Sequence, residues 1–278
     1  MDTLTSLIDH RVLQAIAPRA PAKKIADQQR IIAAFGPQLP VLLPQFQIST
    51  VLRISHFLAQ IAHESDGFCT TVEYASGAAY EGRTDLGNTQ RGDGVRFKGR
   101  ALIQNTGHAN YGEFTRWMWK RVPNAPDFVK EPEKLAVFPW AGWATFWYWS
   151  TRNLNALADQ DDLVAITKKI NGGRNGLDDR AAYLVKAKKA VGNIDADRLG
   201  FRQNFTVLRR GVRGEAVEQL QRALRAAGIY TMSIDGIFGA GTEVAVRGFQ
   251  RREHLTVDGL VGKRTWTALE PYMPREAA

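Results

Sequence analysis

Apolar residues recur in the front of the chain at the three-to-four spacing of a helix face. Leu4, Leu7, Ile8 and Ile16 fall on one such stripe, which Pro18 and Pro21 end. Ile25–Phe35 predicts a second helix, closed by Gly36 and Pro37, and Val51, Ile54, Phe57, Leu58 and Ile61 predict a third. Residues 143–149 form a later helix too aromatic to face water. Leu163, Ile166 and Ile170 make another stripe, which stops at Asn171, Gly172 and Gly173. Between residues 74 and 100 the periodicity fades, and Gly77, Gly82, Gly87, Gly92, Gly94 and Gly99 punctuate a charged stretch. An irregular segment of that length is uncommon inside a compact domain and often lines a site.

A second pattern begins after a junction at 192–204. The sequence DGIFGAGT from Asp235 is followed by DGLVGKRT from Asp258, so one turn-and-helix signature recurs after 23 residues. Asp-Gly makes a turn, the next glycine relaxes the backbone, and the threonine can begin a helix. Leu220, Leu224, Val244, Val246, Phe249, Trp266 and Leu269 supply one small core. The fold class is therefore mainly α: residues 1–195 as a helical domain with a long irregular segment, 196–204 as a linker, and 205–272 as a small three-helix unit.

Composition narrows the partners. The chain has 278 residues, 44% hydrophobic and 23% charged, enough for a core. A net charge of +9 and a pI near 9.8 favour an anionic partner. No nucleic-acid motif accompanies that charge. The single cysteine, Cys69, allows no internal disulfide and reads as packing. Asp9, His10 and Arg11 interrupt any early leader-like run, and the uncharged stretch 135–151 is short for a membrane span. No short His/Cys/Asp cluster offers a metal site, and no cofactor is expected.

The chemistry concentrates where the third helix ends. Glu64 and Glu73 flank Asp66-Gly67. On a straight helix their directions would differ by about 180°. A glycine break lets the chain leave the helix and return across a groove, so that the carboxylates face each other. Glu64, ending an apolar face, is the one placed to hold a proton, and Glu73, among polar residues, to activate water. Glycoside hydrolysis needs that division of labour.

FLAQIAHESDGFCTTVEYAS (57–76) resembles the active-site segment of the family 19 glycoside hydrolases, which include chitinases and the lysozyme-like endolysins of phages. The resemblance continues through YEGR (80–83), LGN (86–88), DGVRFKGRALIQNTGHANY (93–111), GWATFWYWS (142–150) and INGGRNGLDDR (170–180), about two thirds of the chain. It implies a lysozyme-like fold with Glu64 as general acid, Glu73 as general base and Thr106 holding the attacking water. Gln104, Asn110 and Asn171 would contact substrate, and Arg180 would support the acid's carboxyl. His63, Tyr80 and Arg83 are further substrate-side candidates, and Glu81 is the main rival for an acidic role. The tail, from LRRGVRGEAVEQL onward, resembles the bacterial peptidoglycan-binding domain. Arg210, Arg213, Asp235, Phe238 and Asp258 are its candidate contacts. Some positions depart from these patterns. Ala101 and His254 stand where glycine is common, Asn105 where an apolar residue is common, and Asn175 where many chitinases carry an acid.

Together these imply a monomeric endolysin-type lysozyme. It would cut the β-1,4 bond between N-acetylmuramic acid and N-acetylglucosamine in peptidoglycan strands, by inversion, with its carboxyl groups about 6.5 to 9.5 Å apart. It would be made in a host cytoplasm without a signal peptide and reach the wall through holin-dependent release, with an anionic envelope surface as a second partner. The alternatives are a chitinase acting on N-acetylglucosamine polymers and a wall-binding protein without catalysis.

Overall fold

Two short side chains split the first predicted stripe into two elements. The Thr3 hydroxyl accepts from the Ser6 N–H at 3.3 Å and starts a 3-10 turn over Leu4–Leu7. The Asp9 carboxylate accepts from the Arg11 N–H at 2.8 Å and starts α1, His10–Ile16. The computed structural model describes residues 3–198 and 207–273, and the chain divides into two units, 1–198 and 199–278.

The first unit continues with α2 (Ile25–Phe35), α3 (Leu39–Gln45), α4 (Val51–Glu64), α5 (Asp93–Arg96), α6 (His108–Trp119), α7 (Trp140–Thr151), α8 (Leu154–Asp159), α9 (Leu163–Asn171) and α10 (Leu177–Arg198). Among the described residues, strand pairing is limited to isolated bridges, so the unit is mainly helical. The core sits around α4, which packs along α10 more extensively than any other helix pair. Ile54, Phe57, Leu58 and Ile61 are buried on it. Phe57 meets Phe146 at 4.6 Å and Trp149 at 5.3 Å between ring centres. The aromatic run of α7 is therefore core: Phe146, Trp147, Tyr148 and Trp149 are buried, and Trp140 and Trp143 pack against them half-buried. Truncating Phe57 to alanine would cost about 3–5 kcal/mol. Of the expected linker, residues 196–198 form the last turn of α10. The rest, 199–204, lies outside the described residues.

The second unit has the three expected helices, α11 (Glu215–Ala226), α12 (Ala240–Arg252) and α13 (Lys263–Leu269). Its core holds Leu220, Leu224, Val246, Phe249, Trp266 and Leu269, but Val244 is 70% exposed and faces solvent. The repeat has a shared physical basis, a buried glutamine in each copy. Gln221 Nε2 donates to Asp235 Oδ1 (2.8 Å), the Ile237 carbonyl (3.1 Å) and Thr242 Oγ1 (3.2 Å). Gln250 Nε2 does the same to Asp258 Oδ1 (2.8 Å), the Leu260 carbonyl (2.9 Å) and Thr265 Oγ1 (3.2 Å).

Three candidate wall contacts have places in this framework. Asp235 and Asp258 build the turns, each accepting from the N–H two residues on, Ile237 at 2.9 Å and Leu260 at 2.8 Å. Those bonds hold both carboxyls below the usual carboxylate range, the Gln221 amide acting most strongly on Asp235 and the Leu260 N–H on Asp258. Phe238 is fully buried in the core and so has no free face. Arg210 and Arg213 remain exposed.

Candidate active site

The turn after α4 carries three successive residues with left-handed backbone, Asp66 (φ 52°), Gly67 (φ 66°) and Phe68 (φ 67°). Glycine is needed at the middle one, because a Cβ there would also come within 2.5 Å of the Pro18 ring. The turn is held from several sides. Ser65 Oγ donates to the Ile61 carbonyl at 2.6 Å and accepts from the Phe68 N–H at 3.0 Å. Lys24 and the Tyr74 hydroxyl both reach Asp66, at 2.6 and 2.8 Å, and Gln28 donates to the Gly67 carbonyl at 2.7 Å. Burial alone would raise the Asp66 carboxyl, and the Lys24 and Tyr74 hydrogen bonds overcome this and hold it low.

The chain then returns beside the segment 98–106. Val72 bridges Arg100, and Arg100 bridges Asn105, both antiparallel. The Glu73 N–H donates to the Gly99 carbonyl at 3.0 Å, and the Gly99 N–H donates to Glu73 Oε1 at 2.7 Å. Tyr80 donates its hydroxyl to Glu73 Oε2 at 2.9 Å. The phenol is pushed up, first by burial and then by this bond to the carboxylate. Glu81, the rival acid, is spent on architecture: its oxygens accept from the Gly92 and Gly94 N–H groups at 2.6 and 2.9 Å, and these bonds hold its carboxyl low. Buried Asn88 joins the same loop to α6, donating to the Tyr80 carbonyl and accepting from the His108 N–H, both at 2.9 Å.

Glu64 ends the apolar face of α4, but its carboxylate is met by a charged partner. It accepts from the Nη2 of Arg180, a residue only 1% exposed on α10. Arg180 Nη1 donates to Gln60 Oε1, one turn before Glu64, and its Nε donates to the Asn175 carbonyl at 3.3 Å. Asn171 shapes that last loop, donating to the Asn175 carbonyl at 3.0 Å and accepting from the Gly173 N–H at 2.8 Å. His63 pairs through Nδ1 with Asp179 at 2.6 Å.

Gln104 ties the two carboxylates' surroundings together. Its Nε2 donates to the Glu64 carbonyl at 3.1 Å. A Cβ on Gly99 would sit 2.6 Å from Gln104 Oε1 and 3.3 Å from the Glu73 carboxyl carbon, so the backbone at 99 must stay bare. Thr106 Oγ1 donates to the Gln104 carbonyl at 3.1 Å, and Asn110 Nδ2 to the Thr106 carbonyl at 2.7 Å. Arg152 reaches Asn110 Oδ1 at 3.4 Å and lies over the Tyr148 ring at 3.6 Å. The Tyr148 phenol is raised, mostly by burial, with the charge of Glu64 adding to it.

Glu64, Glu73, Tyr80, Gln104, Thr106, Asn110 and Arg180 thus belong to one connected polar platform, with Asn171 supporting it from the loop. Arg83 stays at the surface, paired with Asp85 at 2.7 and 2.6 Å. Gln60, Arg152 and Asp179 were not anticipated, and Tyr148 was expected only within the aromatic run of α7. Only Gln60 carried a signal, as a polar residue inside a buried apolar run. Among the described residues no three His, Cys, Asp or Glu side chains gather as metal ligands. Cys69 is a buried thiol raised chiefly by burial.

A Haemophilus influenzae protein described as "Glycosyl hydrolase family 19 domain-containing protein" is 33% identical over 155 residues, which cover 45% of this chain and 72% of that one. The chain belongs to glycosyl hydrolase family 19. An Arabidopsis thaliana endochitinase is 32% identical over 120 residues, 43% of this chain and 39% of that protein. The fold of a class IV chitinase from Zea mays covers 68% of this chain and 93% of its own, with a TM-score of 0.52 and 19% identity. Residues 213–269 match the family model described as "Putative peptidoglycan binding domain". That match lies within the second unit, and the family 19 resemblance lies within the first.

Proposed function

We propose that the first unit hydrolyses β-1,4 bonds in an N-acetylated aminosugar polymer by single displacement with inversion. Glu64 protonates the leaving glycosidic oxygen. Water attacks the anomeric carbon from the opposite face, and Glu73 takes its proton. The observation that carries this reading is the shared platform, in which Gln104 holds the Glu64 backbone on one side and lies against Gly99, the donor to Glu73, on the other. The Thr106 hydroxyl gives its proton to the Gln104 carbonyl and keeps lone pairs that can accept from the attacking water. Arg180 orients Glu64, and Tyr80 with Gly99 orients Glu73. Asn110 and Arg152 supply donors and acceptors for sugar substituents.

Two polymers fit. The relatives of the hydrolase unit favour chitin-type strands, because the similar plant protein is named an endochitinase. The second unit supports the peptidoglycan reading, since its family model is named for that wall and a tethered enzyme works at a raised local concentration. The peptidoglycan reading includes the endolysin role, with a monomer made in a host cytoplasm and released to the wall through a holin.

Mass spectrometry of chitin and of purified peptidoglycan, each digested by wild type and by Glu64→Gln, tests both parts. The reading expects glycan fragments from wild type and none from the variant. N-acetylglucosamine oligomers from chitin alone select the chitinase. Muropeptides with a muramic acid reducing end select the lysozyme. Fragments from the variant at the wild-type rate contradict the acid assignment.

A further inference from the structure

The face of α4 that ends at Glu64 carries two more polar side chains, His56 and Gln60, at successive one-turn steps. Both are fully buried. Gln60 Oε1 holds one arm of the Arg180 guanidinium while Glu64 takes the other. His56 Nε2 meets Asp161 at 2.7 Å, and Lys188 of α10 reaches the same carboxylate at 2.6 Å. A chain of polar groups therefore runs from the surface pair Asp161–Lys188 inward to Glu64, with one break. Gln60 Nε2 and His56 Nδ1 have no hydrogen-bond partner among the described residues. Buried polar atoms in that condition are costly. These two are complementary. The amide nitrogen is a donor. The ring nitrogen is an acceptor when the proton sits on Nε2, facing the Asp161 carboxylate.

We propose that Gln60 and His56 are positioning residues for the acid, joined by one buried water that accepts from Gln60 Nε2 and donates to His56 Nδ1. The line fixes the rotation of Arg180 and through it the Glu64 carboxyl, so it rests on the acid role assigned above. A second proton on His56 would turn Nδ1 into a donor, so the bridging water could no longer donate to the ring. Burial opposes that proton most strongly. Lys188 also opposes it, while Asp161 and Asp162, the acids facing the ring, favour it.

The test is kcat and KM on a soluble N-acetylglucosamine oligomer, with thermal melting alongside. Gln60→Met keeps the volume and removes the amide. It should lower kcat about tenfold to a hundredfold with KM within about twofold, as expected when a catalytic group is misplaced while substrate binding is unchanged. His56→Phe should lower kcat about tenfold. His56→Gln keeps a donor towards Asp161 and an acceptor towards Gln60, and should return kcat to within about twofold of wild type. Nitrogen NMR of the wild-type His56 ring, which does not depend on any variant folding, should show Nε2 protonated and Nδ1 bare at neutral pH. Unchanged kcat in Gln60→Met, no rescue by His56→Gln over His56→Phe, or the opposite tautomer overturns the proposal. Glu64→Gln in the same assay separates the two levels. If it is inactive while Gln60→Met is unaffected, only the positioning line fails. If it is fully active, the acid assignment fails too.

Discussion

Gln221 and Gln250 in the second unit and Gln60 in the first are all buried, yet their hydrogen bonding differs. The tail glutamines are closed: each amide nitrogen has an aspartate, a carbonyl and a threonine, and each oxygen accepts at least one backbone N–H, Asp235 and Gly236 at 3.0 Å for Gln221 and Gly259 at 2.9 Å for Gln250. Gln60 spends its oxygen on Arg180 and leaves its nitrogen unmatched. A closed network specifies a turn. The open one, beside the Arg180–Glu64 pair, is where the buried water proposed above would sit, and Gln104 Oε1, also unmatched, belongs to the side chain that holds the Glu64 carbonyl.

That contrast can be attacked from its strongest side first. Glu64→Gln should cost about a thousandfold in kcat, within the range for general acid catalysis, and should also lower the melting temperature, because it leaves the buried Arg180 charge unpaired. Arg180→Met should be destabilising as well as inactive. It leaves Glu64 without its buried partner, which costs about 3–5 kcal/mol by denaturant unfolding. Gln221→Leu or Gln250→Leu should destabilise the second unit by about 1–3 kcal/mol while hydrolysis of a soluble oligomer stays at the wild-type rate. Equal loss of that activity would erase the distinction between the two kinds of glutamine.

Ala101 and His254 offer a smaller and opposite effect. Their φ values are 72° and 55°, in the left-handed region that costs an L-residue about 1–2 kcal/mol. His254→Gly should stabilise by up to about 1 kcal/mol in thermal or denaturant unfolding, the relief of strain exceeding the added chain entropy of glycine, and Ala101→Gly by less, because it also removes a fully buried methyl.

The smallest effect concerns pH. The folded protein holds His56 below its ordinary value of 6.5, burial being the main cause, so the unfolded chain binds more protons as pH falls below that value. The stability tied to neutral His56 is whole above pH 6.5 and is lost as pH drops through the folded value. His56→Gln should flatten that slope between about pH 7 and 5, measured by denaturant unfolding at each pH.

Much of the helical frame was legible because its stripes are clean. Ile25–Phe35 and the helix beginning at Val51 have the predicted starts. α3 was hidden because Pro40 and Pro44 interrupt its pattern. Pro40 is tolerated in the first turn, where an N–H needs no helical partner. α6 was hidden because His108, Asn110, Glu113 and Arg116 interleave with the residues it buries. In the site, the break at Gly67 and the two glutamates could be read locally. The guanidinium that reaches Glu64 lies 116 residues further along the chain, so only the family pattern pointed to Arg180. No local signal announced that Glu81 clamps a loop or that Asp235 and Asp258 bind glutamines. A carboxylate reads the same in sequence whether it faces substrate or a backbone N–H. The two glycine departures were visible as oddities, and the positive φ at both positions explains why glycine is common there.

The central claim is a paired acid and base acting by inversion. It is tested most directly by proton NMR of the first product released from a soluble β-1,4 N-acetylglucosamine oligomer, recorded before mutarotation. The account predicts the α-anomer at the new reducing end, absent with Glu64→Gln. A β-anomer from wild type would contradict it.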